Sequence, residues 1–257
     1  MQSWVVEKIL QLNQEFYQTF AFSFSQTRQR LQPGILMALN EIPLKGNWLD
    51  LGCGNGALAR EWALQRRQGL YLGLDFSPGL LEEARKNKPE VGLPKGLKIE
   101  FDQVDLNTED WSALVSHIQW NGILSFAVLH HIPSLELRVK VLKQVHHLLP
   151  QEGRFIFSVW QFQHSPRLMA RCLPWESIGI SVDEVDEGDT LIDWRADARQ
   201  EEGAMGVRYV HLYSRQELAQ LAHLADFSIV DEYESDGRSG NLALYQIWHK
   251  SQNELKK

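Results

Sequence analysis

The stretch WLDLGCGNGALA, residues 48–59, joins a short apolar run to three glycines at alternate positions and then to a helical pattern. The glycines are Gly52, Gly54 and Gly56. An apolar strand that ends in a glycine turn at the start of a helix is typical of the first strand-to-helix connection of an open parallel sheet. Such sheets bind their ligands at the carboxyl ends of the strands, so this turn is the first candidate for a binding site.

Further apolar runs alternate with helical patterns along the chain. These runs occupy residues 47–53, 70–76, 98–105, 120–129 and 153–162. Near-continuous apolar strands that alternate with helices indicate a parallel sheet covered by helices on both faces. After one more helical pattern, residues 227–235 and 242–250 form two runs joined by the turn DGRSGN. That pair predicts a hairpin, and therefore a mostly parallel, Rossmann-like α/β sheet with an antiparallel last strand.

The length of 257 residues suits one domain spanning residues 1–257. Two segments stand outside the alternating pattern. Residues 1–40 are helical in character, and we expect them to cap the binding site. Residues 163–207 are too long for an ordinary connection, which predicts an insertion on the substrate side after the fifth strand.

Composition and charge narrow the classes of function. No apolar run approaches the roughly 20 residues of a membrane helix, and the N-terminus lacks the pattern of a secretory signal. We therefore expect no membrane association and a cytoplasmic location. Cys53 and Cys172 are too few for a disulfide framework or a four-cysteine zinc site, and we assign no metal ligands. Residues 176–202 carry a net charge of −8, whereas the whole chain carries −7. The residues outside this acidic segment therefore sum to +1.

Asp50 decides between ligands for the glycine turn. It lies inside the first run, two residues before Gly52. A carboxylate there would repel the pyrophosphate of a dinucleotide, whereas it suits the positive amino group of an amino acid. A nucleoside that carries a positive amino acid is S-adenosylmethionine, which the turn therefore predicts as the cofactor.

Acidic residues also end the next two runs. Asp75 is placed to accept hydrogen bonds from both ribose hydroxyls. Asp105 is placed to accept from the adenine amino group, while Leu106 packs on the base. A single aspartate at a strand end is more often a turn former, but three in succession favour a nucleoside site. Phe76 and Phe126, beside these strand ends, complete the predicted cofactor site.

The segments LDLGCGNG, GLDFS, QVDLN and SFAVLHHI together resemble the successive motifs of class I S-adenosylmethionine-dependent methyltransferases. They cover roughly residues 46–160. The resemblance implies the seven-stranded sheet of that class, with its last strand reversed.

Two further segments resemble the eukaryotic tRNA wobble-uridine carboxymethyl methyltransferases. They are YQTFAFSFSQTRQRLQP, residues 17–33, and VRYVHLYSRQEL, residues 207–218. The matching positions include Arg28 in the first segment and Arg208, Tyr209 and His211 in the second. This resemblance implies esterification of a carboxymethyl group on a tRNA uridine, with a small activating protein subunit as a partner.

Carboxylate methylation asks little of the protein, because the acceptor is ionised at neutral pH and needs no general base. A cationic clamp suffices, and Arg28 and Arg208 are candidates for holding the acceptor or the cofactor carboxylate. His130 and His131, after the fourth run, would act as a base if the acceptor were a hydroxyl or an amine. Arg208, Tyr209, His211 and the two adjacent histidines form the predicted catalytic set.

Three functions stay open at this point. The first is methyl transfer to a carboxylate or oxygen of a modified tRNA uridine. The second is methylation of a small carboxylate or hydroxyl metabolite, which the acidic segment favours because phosphates would be repelled there. The third is a catalytically silent partner, against which the intact cofactor residues argue.

Overall fold

The computed structural model describes residues 1–89, 93–107, 110–195 and 205–251. Its strands are β1 (Trp48–Leu51), β2 (Gly69–Asp75), β3 (Leu97–Gln103), β4 (Gly122–Phe126), β5 (Arg154–Trp160), β6 (Cys172–Leu173), β7 (Asp189–Arg195), β8 (Met205–His211), β9 (Phe227–Ser235) and β10 (Ala243–Lys250). Its α-helices are α1 (Ser3–Gln26), α2 (Pro33–Asn40), α3 (Ala57–Leu64), α4 (Pro78–Asn87), α5 (Leu135–Leu148), α6 (Pro166–Met169) and α7 (Arg215–Leu224).

Seven strands form the main sheet in the order β3-β2-β1-β4-β5-β10-β9. The strands β1 to β5 pair in parallel with their neighbours, whereas β10 is antiparallel to both β5 and β9. The predicted fold class and the reversed last strand are therefore confirmed. The order changes direction at β1 and β4, which places a ligand-binding crevice at the carboxyl ends of these strands.

Alternate side chains of the strands point into two separate apolar cores. Leu49 and Leu51 of β1 face a core that contains residues of α5 and α7. Trp48 faces the opposite core, where it meets Trp62 of α3 and residues of α2 and α4. Helices thus cover both faces, as a near-continuous apolar strand predicts, because both sides of such a strand must leave water.

Local chemistry sets the helix boundaries. Ser77 is the N-cap of α4, where its side chain accepts from the backbone N–H of Leu80, and Pro78 takes the first helical position. The connection between β3 and β4 contains a short 3₁₀ helix, Trp111–Val115, where the alternating pattern predicts an α-helix. There the Asp110 side chain accepts from the Ala113 N–H at 3.2 Å.

The insertion after β5 contains a second sheet, ordered β6-β7-β8, that pairs antiparallel throughout. Residues 196–204 of the predicted insertion, which include part of the acidic segment, lie outside the described residues. Helix α1 packs against β8 and α4. Trp175 and Trp194 of the insertion bury against apolar residues of α1. The described helices include none long and apolar enough to cross a membrane.

Candidate active site

A cavity of about 510 Å³ opens at the carboxyl ends of β1 to β5. Residues of α1 and of the segment that leads into α2 form its other wall. Twelve of the fifteen predicted site residues line it: Arg28, Asp50, Gly52, Gly54, Asp75, Phe76, Asp105, Leu106, Phe126, His130, His131 and Arg208. Residues far apart in the chain thus meet in one cavity.

Glycine is required at positions 54 and 56 of the turn for different physical reasons. Gly54 has a φ of +54°, and a Cβ there would meet no atom within 4 Å. Its backbone therefore faces open space that a ligand can approach closely. Gly56, with a φ of +73°, would place a Cβ 3.0 Å from the Ala84 Cα, so it serves helix packing. It does not line the cavity in the described part of the chain, and the structure gives no support for its predicted contact with the cofactor.

Asp50 is a buried carboxylate in the floor of the cavity. Its side chain accepts a hydrogen bond from the Tyr71 hydroxyl. Burial raises the pKa of Asp50 from 3.8 to about 7, and the nearby charge of Asp75 adds to this effect, while the bond from Tyr71 opposes it. A buried carboxylate in this environment is stabilised by a cation more than an exposed one would be.

Backbone N–H groups of the glycine turn and of Ser77 hold the Asp75 carboxylate in place. Its Oδ2 accepts from the Gly54 N–H at 2.9 Å, and its Oδ1 accepts from the Ser77 N–H at 2.9 Å. Burial raises the pKa of Asp75 to about 6, although these backbone donors lower it. Each carboxylate oxygen has a second lone pair, so both ribose hydroxyls can still be accepted as predicted.

Asp105 lies at the exposed rim of the same cavity, immediately beyond β3. Its Oδ1 accepts from the backbone N–H of Asn107 at 2.9 Å and from the Asn107 side chain at 2.8 Å. The side chain of Leu106 is buried beside it. The rim therefore pairs an acceptor with an apolar surface, which is the combination that the edge and face of an adenine require.

Two guanidinium groups flank one aromatic ring on the other side of the cavity. The Cζ of Arg28 lies 5.0 Å from the centre of the Phe24 ring, and the Cζ of Arg208 lies 5.9 Å from it. Arg208 also lies 5.1 Å from the Trp160 ring centre and is only 5% exposed. Neither group forms an ion pair with a carboxylate within the described ranges, and the Arg208 Nε has no hydrogen-bond partner there. Arg28 is exposed, whereas the positive charge of Arg208 is buried without a counter-ion, which favours an anionic ligand.

Each of the adjacent histidines has a defined hydrogen-bonding partner. The Nδ1 of His131 lies 3.0 Å from the carbonyl oxygen of Tyr209, and its Nε2 lies 2.9 Å from the Tyr17 hydroxyl. Burial and the charge of Arg208 lower the pKa of His131 to about 3. The Nδ1 of His130 accepts from the Trp160 N–H at 3.3 Å, and burial lowers the pKa of this ring as well. Both histidines are therefore neutral wall residues at physiological pH.

Tyr209 and His211 correct the predicted catalytic set. Neither side chain lines the cavity in the part of the chain that the structure describes. The His211 ring lies between Asp189, at 2.6 Å from Nδ1, and Glu217, at 2.8 Å from Nε2. The Tyr209 hydroxyl donates to Asp189 at 2.7 Å. Successive side chains of β8 point to opposite faces, so Arg208 points towards the cavity while Tyr209 and His211 point towards the other face.

Comparison with known proteins identifies the family of this chain. Residues 23–232 match the family described as "Methyltransferase domain". The chain belongs to this methyltransferase family. The predictions of an enzyme, of a methyltransferase and of S-adenosylmethionine as its cofactor are confirmed.

Several relatives of this methyltransferase have curated names. The tRNA (carboxymethyluridine(34)-5-O)-methyltransferase of Saccharomyces cerevisiae is 30% identical over 61% of this chain and 50% of its own length. The enzyme of the same name from Schizosaccharomyces pombe is 25% identical over 86% of this chain and 91% of its own. The chain thus spans only half the length of the first of these two proteins.

Solved structures share the fold of the methyltransferase. A SAM-dependent methyltransferase of Methanosarcina mazei superposes with a TM-score of 0.63 at 20% identity, covering 87% of this chain and 99% of that one. A complex of the Haloferax volcanii Trm112 methyltransferase activator and a putative methyltransferase gives a TM-score of 0.60 at 14% identity, covering 94% and 98%.

The residues of the methyltransferase fit both charged groups of the cofactor's amino-acid part. Asp50 offers a carboxylate to the positive amino group, and Arg28 offers a guanidinium to the carboxylate. The open face of Gly54 admits the ligand to the backbone, and Asp75 offers its carboxylate to the ribose. This assignment of contacts is our proposal from the geometry.

Sequence reasoning missed several residues of the cavity wall. Asn13, Tyr17 and Asp236 all line the cavity and were not predicted. A signal was available for two of them, because the cavity-lining positions of α1 are Leu10, Asn13, Gln14, Tyr17 and Phe24. These positions follow the spacing of one helix face, so a polar and aromatic stripe marks the side of α1 that meets the site.

Proposed function

We propose that this enzyme transfers a methyl group from S-adenosylmethionine to the carboxylate of a modified tRNA uridine. The observation that carries the proposal is the buried guanidinium of Arg208, which lies in the cavity wall without a carboxylate partner among the described residues. A guanidinium recognises a carboxylate through two parallel hydrogen bonds.

The placement of charged groups supports this assignment. The cofactor brings one carboxylate and the acceptor a second. Of the three arginines that line the cavity, Arg28 and Arg208 flank the Phe24 ring, while Arg30 is exposed. We assign Arg28 to the cofactor carboxylate and Arg208 to the acceptor. Arg208 is buried whereas Arg28 is exposed, so the contact of Arg208 with an anion is the stronger one.

The histidines support an acceptor that is already ionised. The Nε2 of His131 is engaged by Tyr17, and the low pKa of the ring makes it a weak base. When bound, S-adenosylmethionine supplies a methyl group on a positive sulfur, so a carboxylate oxygen can take that methyl without any proton transfer. The protein then has to orient the two groups and exclude water, and orientation alone can contribute about 7 to 11 kcal/mol.

The tRNA part of the proposal rests on the relatives whose names state that substrate. Part of the acidic charge of residues 176–202 is neutralised inside the protein, because Asp189 pairs with Arg138 and Asp193 with Arg171 and Arg195. A small activator subunit would add positive charge for RNA binding, as the presence of Trm112 beside one neighbour suggests. We place the reaction in the cytoplasm, where Cys53 and Cys172 would stay the free thiols that they are here.

A second candidate is methylation of a small carboxylate metabolite. The exposed acidic residues of the insertion, Glu176, Asp183 and Glu187, favour it because they oppose an RNA backbone at short range. Such a substrate would use the same Arg208 contact.

Tritiated methyl transfer distinguishes the two. The enzyme is incubated with methyl-labelled S-adenosylmethionine and either bulk tRNA or a small-molecule extract, with and without an added activator of the Trm112 type. We expect label in tRNA that mild alkali releases as methanol, since only a methyl ester is so labile. Label confined to small molecules would transfer the assignment to the second candidate, and label in neither fraction would refute both.

An Arg208→Lys variant tests the clamp in the same assay. Losing the bidentate contact is expected to lower kcat/KM about 30-fold while leaving cofactor affinity unchanged. Arg215→Lys is the matched control, because Arg215 pairs with Glu232 and Glu234 on the surface. Equal activity of the two variants would exclude Arg208 as the acceptor clamp.

A further inference from the structure

The glycine turn of the cofactor site also holds the segment that follows helix α1. Asn55 lies in this turn between Gly54, whose backbone faces the cavity, and Gly56, which serves helix packing. Asn55 is buried, although it borders the cavity as well. Its Nδ2 donates to the carbonyl oxygens of Ser25, at 3.2 Å, and of Arg28, at 3.3 Å. The turn that faces the cofactor is thus hydrogen-bonded to the backbone of a candidate clamp residue.

Unpaired backbone groups at two helix ends explain why asparagine suits this position. The last carbonyl groups of an α-helix have no partner within the helix, and α1 ends at Gln26, directly after Ser25. The Asn55 Nδ2 donates to that end, where the Ser25 Oγ also lies 3.1 Å away. At the start of α3, the Asn55 Oδ1 accepts from the Ala57 N–H at 3.3 Å. One amide therefore joins the two helix ends across the cofactor turn.

The peptide groups on both sides of Arg28 are held in this way. Its backbone N–H donates to the Ser25 carbonyl oxygen at 3.0 Å, and its own carbonyl oxygen accepts from Asn55. The next carbonyl oxygen, that of Gln29, accepts from the Arg60 guanidinium of α3. Arg28 itself is exposed, so its side chain loses rotamer freedom when it contacts a ligand. A backbone that is already fixed lowers the entropy cost of that contact.

We propose that Asn55 is a positioning residue that holds the Arg28 backbone so that the Arg28 guanidinium meets the carboxylate of the cofactor. This inference rests on the proposed function, because it takes Arg28 as the partner of that carboxylate. It assigns Asn55 no contact with the reacting atoms. The turn then serves both parts of the ligand, since Gly54 and Asp75 lie at the nucleoside while Asn55 acts on the amino-acid part through Arg28.

Two ligands that differ in the amino-acid part test the role of Asn55. S-adenosylhomocysteine carries the carboxylate, whereas 5′-deoxy-5′-methylthioadenosine keeps the nucleoside and the sulfur but lacks the amino-acid group. In Asn55→Ala, calorimetric titration is expected to show a Kd about tenfold higher for the first ligand and less than about twofold higher for the second. General damage to the turn would weaken both ligands, so equal losses would overturn the inference.

Asn87→Ala is the matched control. The Asn87 Nδ2 donates to the carbonyl oxygen of Asn55 at 3.2 Å, so this side chain holds the same turn from the side of α4. The ratio of the two affinities is expected to stay at the wild-type value in this variant. A tenfold preferential loss of S-adenosylhomocysteine here as well would overturn the inference, because the conformation of the turn would then decide the affinity.

A double-mutant cycle separates this inference from the assignment on which it rests. Arg28→Gln is expected to raise the Kd of S-adenosylhomocysteine about 30-fold, and Asn55→Ala should add almost nothing in that background. An undiminished tenfold effect there would overturn the positioning role. Unchanged affinity in Arg28→Gln would overturn the assignment of Arg28 and the inference with it. These titrations contain no methyl acceptor, so their outcome is independent of whether tRNA is methylated.

Hydrogen exchange tests the backbone contact without any ligand. The backbone N–H of Arg28 should exchange with solvent about tenfold faster in Asn55→Ala than in the wild type, because the peptide that follows it is released. Arg60 still holds the next carbonyl group in this variant, so the segment is loosened at Arg28 rather than unfolded. An unchanged exchange rate would refute the role of Asn55.

Discussion

Cofactor affinity is expected to depend on pH through Asp50. The pKa of this carboxyl is about 7 in the protein, so it is mostly neutral below pH 7 and ionised above it. The positive amino group of the cofactor binds the ionised form, so binding below pH 7 must first release a proton. Affinity should therefore fall about tenfold for each pH unit below 7. It should stay level above about 7 until the amino group of the cofactor itself begins to lose its proton.

The size of the effect follows from the same pKa. Between about pH 8.5 and pH 5.5 the loss through Asp50 amounts to about 30-fold. Asp75, with a pKa of about 6, adds a second proton below that pH and steepens the fall. Calorimetric titration with S-adenosylhomocysteine, in two buffers of different ionisation enthalpy, would measure both the affinity and about one proton released per ligand at pH 6.

Asp50→Asn provides the matched control for this linkage. The variant should bind more weakly and show no pH dependence above about pH 6.5, where only Asp50 titrates. It should also be more stable than the wild type at pH 8, because ionising the buried Asp50 costs about 4 kcal/mol, from 3.8 to about 7. The wild-type protein loses this stability as pH rises from about 3.8 to about 7, because the carboxyl then ionises in the unfolded chain and stays neutral in the folded one. The advantage of Asp50→Asn is therefore absent at low pH and complete above about pH 7. Affinity that is level from pH 5.5 to 8.5, or an unchanged pH dependence in Asp50→Asn, would refute the amino-group contact.

Two further predictions concern stability. Gly56→Ala should lower the free energy of unfolding in urea by about 1–3 kcal/mol, because its φ is +73° and the new Cβ meets Ala84 at 3.0 Å. Gly54→Ala should cost less stability and weaken cofactor binding more, and the reverse ranking would contradict the roles assigned here. His211→Ala should lower the free energy of unfolding by about 3 kcal/mol, because Asp189 and Glu217 lose a buried partner. The exposed control Arg215→Ala should lower it by less than about 1 kcal/mol. The two carboxylates raise the pKa of His211, although burial opposes them, so its contribution should be full below about pH 6.5 and decline as pH rises through the raised pKa. Similar losses for both variants, or a difference independent of pH, would show that the network adds no stability.

The parallel core of the fold could be predicted from the sequence because its signals are local. A strand buried on both faces must be apolar at every position, and a helix must repeat its apolar face every 3.6 residues, so both are visible in short windows. Asp50, Asp75 and Asp105 were predicted for the same reason, since each lies at or near the carboxyl end of its own strand and parallel strands bring these ends to one edge. The glycine turn likewise follows from local backbone geometry.

The acceptor side of the cavity was decided only by tertiary packing. Arg208, Tyr209 and His211 are close neighbours in the sequence, yet only Arg208 lines the cavity. Which residues of a strand face the ligand depends on its register against its partners, and β8 takes its register from β7 and its position from α1. Tyr17 and Asn13 reach the site because a helix at the start of the chain packs on a strand almost 200 residues later. No local pattern encodes such a contact: it arises when apolar faces from distant segments are buried together, and the polar groups between them must then find their partners.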